Sequence, residues 1–176
     1  MKESKGTFTD PRDGKVYKTV EIGGVVWMAE NLNYAAEGSV CYDNDPANGD
    51  KYGRLYNWET ALKACPAGFH LPSDDEWTAL ENAVGGQSTA GIKLKSAEGW
   101  NNYGNGTDDY GFSALPGGGG NSDGGFYGAG NYGYWWSATE DDALDAKGRG
   151  VSYDDENVNW YYNYKPNLFS VRCVAD

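Results

Sequence analysis

Residues 71–86 read LPSDDEWTALENAVGG, and both ends of a helix are written into them. Ser73 and Glu76 have the S-x-x-E spacing of a capping box, in which each side chain accepts a backbone N–H that the first turn leaves free. Asp74 and Asp75 suit the positive end of the helix dipole. Trp77, Leu80 and Val84 recur at helical spacing and predict a buried stripe, and Gly85-Gly86 supplies the stop. Just upstream, NWETALKAC (57–65) sets Trp58, Ala61, Leu62 and Cys65 at i, i+3, i+4 and i+7. This is a second stripe, with Asn57 as N-cap and with Pro66 and Gly68 as terminators.

Strand patterns flank the two helices. Before them, KVYKTVEIGGVVWMAENL carries Val16, Tyr17, Val20, Ile22, Val25 and Trp27 around Gly23-Gly24, the signature of a β-hairpin. YDNDPANGDKYG then reads as a polar loop. After the helices, residues 99–133 hold 13 Gly in 35 residues. Flexible linkers lack rings, so this segment is expected to be an ordered loop, pinned by Trp100, Tyr103, Tyr110, Phe112 and Phe126 packing inward. It should cover one side of the late strands and bury Trp135 or Trp136. Strands return in GYWWSAT, GRGVSYD, NVNWYYNY and FSVRCV. The order is hairpin, two helices, long glycine-rich loop and antiparallel strands, an α+β class. Residues 1–7 read as a disordered N-terminal remnant or linker and 8–176 as one domain.

Composition narrows the function. Leu, Ile, Val and Phe make up only 26 of the 176 residues, a level that would suggest disorder were it not for seven Trp and fourteen Tyr. A compact domain with a ring-built core follows. The net charge of -12 argues against nucleic acid and against anionic membrane surfaces, both of which reward Lys and Arg. No apolar run is long enough to span a bilayer. The opening MKESKGTFTDPRDG has no hydrophobic segment and so is no signal peptide, leaving a cytosolic protein or one whose signal has been removed. Three cysteines, Cys41, Cys65 and Cys173, lack metal-site spacing. One pair with one left over and three free thiols both remain open.

Few residues suggest chemistry. His70, in the turn FHLP, reads as structural, and without a second histidine no Ser-His-Asp or Cys-His set assembles. Glu140, Asp141, Asp142, Asp154, Asp155 and Glu156 offer carboxylates for a glycosidase-type pair, though such charge runs are normally solvated faces. Asp43, Asp45, Asn48 and Asp50 are oxygen donors of the kind Ca²⁺ takes, and also the residues a tight turn wants. Calcium is the one cofactor to consider. In NVNWYYNYKPN (157–167), Val158, Trp160, Tyr162 and Tyr164 would point one way on a strand, and Asn159, Tyr161 and Asn163 the other. Some of these rings should be core, and at least two exposed.

In the segments TDPRDGKVYKTVEIGGVVWMAENLNY, YGRLYNWETALKACPAGFHLPSDDEW, GFSALPGG, YGYWWSATE and FSVRCV, in that order from about Phe8 to Val174, the chain closely resembles the Fibrobacter succinogenes major paralogous domain family. The resemblance implies a branch of the C-type lectin-like fold, related to formylglycine-generating enzymes, in a secreted or surface-attached bacterial protein, often a lipoprotein. It implies a Cys65–Cys173 disulfide. It also places Gly49 where such proteins carry the partner of Cys41, so Cys41 is expected to be unpaired and at least partly buried. The two late cysteines of the related oxidases have no counterpart between Trp135 and Ser170, and the sugar-binding signatures of calcium-dependent lectins are absent. In the related folds the late sheet and loops form the ligand face. The expected site is a shallow surface of Tyr153, Asn159, Trp160, Tyr161, Tyr162 and Asn163. The function expected is a non-catalytic extracellular recognition or adhesion domain for a glycan or protein. The rivals are a structural cell-surface block without soluble ligand, and an enzyme related to the oxidases.

Overall fold

The structure is a computed structural model that describes residues 5–176. Strands β1 (Lys5–Thr9), β2 (Val16–Ile22) and β3 (Val25–Met28) open the chain as an antiparallel meander. Gly23 and Gly24 both take positive φ, 62° and 81°, as the tight turn between β2 and β3 requires. Residues 5–7 pair with β2, so the expected 1–7 linker is corrected there. Its remainder, 1–4, lies outside the described residues.

Helices α1 (Pro46–Tyr52), α2 (Trp58–Ala64), α3 (Asp74–Ala83) and α4 (Gln87–Leu94) follow, with the short strand β4 (Phe69–His70) between α2 and α3. Among the described residues the count of two helices is thus corrected to four. The supposed polar loop holds α1, which Asp45 caps by accepting from Ala47 N–H at 3.0 Å, with Pro46 at its first turn. The helix α4 (QSTAGIKL) is weakly amphipathic and carries an internal glycine, so it had little local signal. The capping box of α3 forms as expected, Ser73 Oγ accepting from Glu76 N–H and Glu76 accepting from Ser73 N–H. Asn57 caps α2 through Thr60 N–H. On α2 the buried positions are Trp58, Ala61 and Ala64, while Leu62 is exposed. In a two-turn helix docked along one line, the predicted stripe was set one position too wide.

Strands β5 (Gly119–Gly120) and β6 (Phe126–Tyr127) form a small ladder inside the glycine-rich segment. Then β7 (Tyr132–Glu140), β8 (Asp145–Ser152) and β9 (Asn159–Tyr164) form an antiparallel sheet in that order, with β9 at its edge. Last, β10 (Val174–Ala175) enters the first sheet between β3 and β4. The fold is α+β.

Two ring-rich cores hold these layers. One joins Trp27, Trp77, Phe112 and Trp135, with Trp27 and Trp77 at 4.9 Å between centroids. The other joins Tyr56, Trp58, Trp136 and Phe169 around Cys173. Trp135 and Trp136 face opposite ways, as neighbours on a strand must. Both are buried, because β7 has a core on each side. Only one was expected to be buried. The glycine-rich segment supplies buried Trp100 and Phe112 and half-buried Tyr110 and Phe126. Tyr103 is fully exposed, contrary to expectation. Asn102 and Tyr103 both take positive φ, 52° and 59°, and that turn aims the ring into solvent.

The Cys65–Cys173 disulfide is present, Cα–Cα 5.9 Å, across 108 residues of sequence. Closing a loop of that size stabilises the chain by about 4–5 kcal/mol in the chain-entropy account. Cys41 is free and buried.

Candidate functional site

Alternation along β9 decides which of its rings meet solvent. Trp160, Tyr162 and Tyr164 stand on one face, exposed at 52%, 62% and 47%. Their cross-strand neighbours on β8 are Arg149, Lys147 and Asp145. The Arg149 guanidinium lies 5.1 Å from the Trp160 ring centroid and the Lys147 ammonium 5.9 Å from that of Tyr162. Behind this row sits α3, whose Glu81 is 2% exposed and pairs with the equally buried Arg149 at 2.5 Å. Arg149 also donates to Asp74 Oδ1 at 2.6 Å and to Thr78 Oγ1 at 3.1 Å. Glu81 accepts from the Trp160 indole N–H at 3.1 and 3.3 Å. A buried acid thus fixes the edge of an exposed ring.

Tyr161, on the opposite face, joins a tyrosine cluster. Tyr134 lies 5.6 Å from Tyr161, 6.0 Å from Tyr132 and 5.9 Å from Tyr127, and Tyr153 lies 6.1 Å from Tyr132. Burial raises the phenol pKa values of Tyr127, Tyr134 and Tyr161 above their ordinary value, and neighbouring tyrosines add to the shift. Gly150 permits the arrangement, since a β-carbon there would meet Tyr161 at 2.3 Å.

The six expected ligand residues therefore do not share one surface. Trp160 and Tyr162 belong to the exposed row; Tyr153, Asn159, Tyr161 and Asn163 are half-buried, with Tyr161 and Tyr153 held in the tyrosine cluster. Period-two geometry separates neighbours on a strand. Tyr164 completes the row, and the same alternation pointed to it. Glu81 was missed, although it occupies the i+4 place in the stripe Trp77, Leu80, Glu81, Val84. An acid in a buried stripe signals a partner, because an unpaired buried charge is costly.

Of the candidate calcium donors, Asp45 caps α1 and Asn48 donates to Tyr42 O at 3.0 Å, while Asp43 and Asp50 are exposed. Among the described residues no three His, Cys, Asp or Glu side chains converge as a metal site would require. The late carboxylates serve turns and pairs. Asp142 accepts from the N–H groups of Leu144 and Asp145, Asp155 from Asn157 N–H, and Glu140 pairs with Lys165. Those backbone donors hold the carboxyls of Asp142 and Asp155 below the usual range. His70 bridges Asp176 (2.7 Å) and Glu76 (2.9 Å). Three hollows, of about 410, 250 and 210 Å³, lie elsewhere; the first two are lined by mixed charges including Lys18, Glu30 and Asp108, or Lys15, Glu30 and Asp50, and the third by Lys95, Tyr103, Tyr153 and the acids Asp154–Glu156. The first two present no exposed ring; the third carries Tyr103 alone, without the row of rings that β9 presents.

The site and fold together define an α+β domain with one disulfide, a ring-built core and an aromatic edge strand open to solvent. The chain belongs to the family described as the Fibrobacter succinogenes major domain, which it matches over residues 20–175. No curated protein and no solved structure matches it. No helix among the described residues is long and apolar enough to cross a membrane.

Proposed function

We propose that this is a non-catalytic recognition domain that works outside the cytoplasm and binds a glycan through the row Trp160, Tyr162 and Tyr164. The observation that carries the reading is the exposure of three rings on consecutive same-face positions of an edge strand. Large contiguous apolar surface is uncommon on a monomer and marks binding sites. Such rings offer rigid contact area at low entropic cost. The outer backbone groups of an edge strand add unpaired donors and acceptors beside them. The disulfide supports an oxidising location. A C-type lectin-like arrangement is the finer fold reading, and the bond from the end of α2 to the last strand region fits it. The carboxylates engaged in turns favour binding over hydrolysis.

A glycan array and a pull-down against extracted surface proteins, each run with Trp160→Ala/Tyr162→Ala/Tyr164→Ala, test this. Glycan binding that the triple variant loses, with its near-ultraviolet dichroism otherwise native, supports the proposal. Binding that survives places the site elsewhere. Ring-dependent capture of a protein alone changes the ligand class, and no ring-dependent ligand of any kind favours a structural surface block.

A further inference from the structure

Between Trp160 and Tyr162 lies a narrow cleft of about 50 Å³, lined also by Asp74, Lys147, Arg149 and Tyr161. Drug-sized ligands occupy clefts upward of roughly 300 Å³, so this one encloses no whole ligand and admits only the hydroxyl edge of a unit stacked on the exposed rings beside it. Its charges cancel: Glu81 and Asp74 stand against Arg149 and Lys147, and Arg149 is already paired with both acids. Neither an anion nor a cation meets an excess of opposite charge here. What remains available is one donor and one acceptor, the Lys147 ammonium and Asp74 Oδ2. They stand 3.9 Å apart, with the side chains 30% and 27% exposed. The Trp160 ring is held at its edge by Glu81 and beside Arg149, yet is half exposed. A fixed ring with a free face, next to a balanced donor and acceptor, is chemistry for a ring-shaped neutral polyol.

Building on the recognition role proposed above, we infer that the exposed Trp160–Tyr162 surface at the mouth of this cleft is a subsite for one neutral pyranose residue of a glycan. The sugar stacks on Trp160 and Tyr162, Lys147 donates to one of its hydroxyls, and Asp74 accepts from another. Glu81 acts as a positioning residue that holds the Trp160 ring, through the hydrogen bond to its indole N–H, in the stacking orientation.

The test titrates the oxidised protein with gluco-, manno-, xylo- and galacturono-oligosaccharides by calorimetry and tryptophan fluorescence. Salt is varied from about 0.1 M to about 1 M, over which the screening length falls from about 10 Å to about 3 Å. A neutral oligosaccharide is expected to bind with little salt dependence. Trp160→Ala should abolish that binding, and Lys147→Gln, at a partly exposed position, should weaken it about tenfold, the loss of a charge-assisted hydrogen bond. In Glu81→Gln the indole N–H resonance of Trp160 should move and affinity should fall, whereas Tyr164→Ala should do less. Preference for the uronic chain with salt-sensitive affinity overturns the subsite. So does neutral binding indifferent to both Trp160→Ala and Lys147→Gln. If neutral sugars fail to bind while a protein or charged glycan depends on the ring row, the subsite falls and the recognition role stands. If no ligand depends on the row, both fall.

Discussion

A β-carbon on Gly49 would lie 3.7 Å from the β-carbon of Cys41 and 2.6 Å from its sulfur. The first distance is within the span of bridged cysteines, about 3.5–4.5 Å. Gly49 lies within α1 and does not take positive φ, so a side chain there costs the backbone nothing. Gly49→Cys is expected to close a second disulfide with Cys41. The chain-entropy account gives about 2–3 kcal/mol for so short a loop, or a rise of roughly 5–10 °C in Tm for a chain of this size. Two reactive thiols in the air-oxidised variant, with Tm unchanged, would show that the positions do not meet.

In the native chain, thiol titration in denaturant should find one reactive group before reduction and three after it. Reduction should lower unfolding free energy by up to about 4–5 kcal/mol. Chemical denaturation with and without reductant measures this, and identical curves would mean the bridge carries no stability.

Gly91 sets two effects against each other. Replacing a helical glycine with alanine ordinarily gains about 0.5–1 kcal/mol. Here the new β-carbon would lie 2.2 Å from the carbonyl oxygen of Asn157, in a loop tied to α4 by Ile92 N–H to Glu156 O. Backbone must move, and overpacking of this kind costs about 1–3 kcal/mol. Gly91→Ala should therefore lower Tm, and a rise would show that the loop yields freely.

His70 gives a pH dependence with a definite sign. Burial pulls its pKa down, but the hydrogen bonds that the ring donates to the Asp176 and Glu76 carboxylates, with their negative charge, outweigh it and leave the value raised above 6.5. A raised folded pKa means stabilisation that is full below the ordinary imidazole range and is lost as pH climbs through the raised value. The ring is 41% exposed, so solvent screening keeps the effect below about 1 kcal/mol. The stability difference between wild type and His70→Gln, followed from acidic to mildly alkaline pH, should shrink as pH rises above 6.5. A constant difference would remove His70 from the account.

The capping box at Ser73 and Glu76, the Asn57 cap and the Gly23-Gly24 turn were readable from sequence because a few adjacent residues decide each of them. The α+β class followed from their order, and alternation along residues 158–164 separated the two sets of rings. Helix α4 was not readable, since its apolar pattern is weak, it has no side-chain cap and an internal glycine interrupts it, and its hold on Glu156 and Asn157 bridges more than sixty residues. Leu62 and Tyr103 went the other way: an apolar or aromatic side chain is only expected to be buried, and a docking line or a positive-φ turn can leave it in water.

The sequence by itself determined the local elements, the aromatic character of the core and the row of rings that one strand face must carry. Only the tertiary structure decided which rings are covered. It laid a core on each side of β7, burying both Trp135 and Trp136, and it left β9 at a sheet edge with its row open. It also brought Glu81 of α3 against Arg149 of β8 and Trp160 of β9. That contact spans residues 81 to 160. It exists because a buried carboxylate needs a partner that no neighbour along the chain provides.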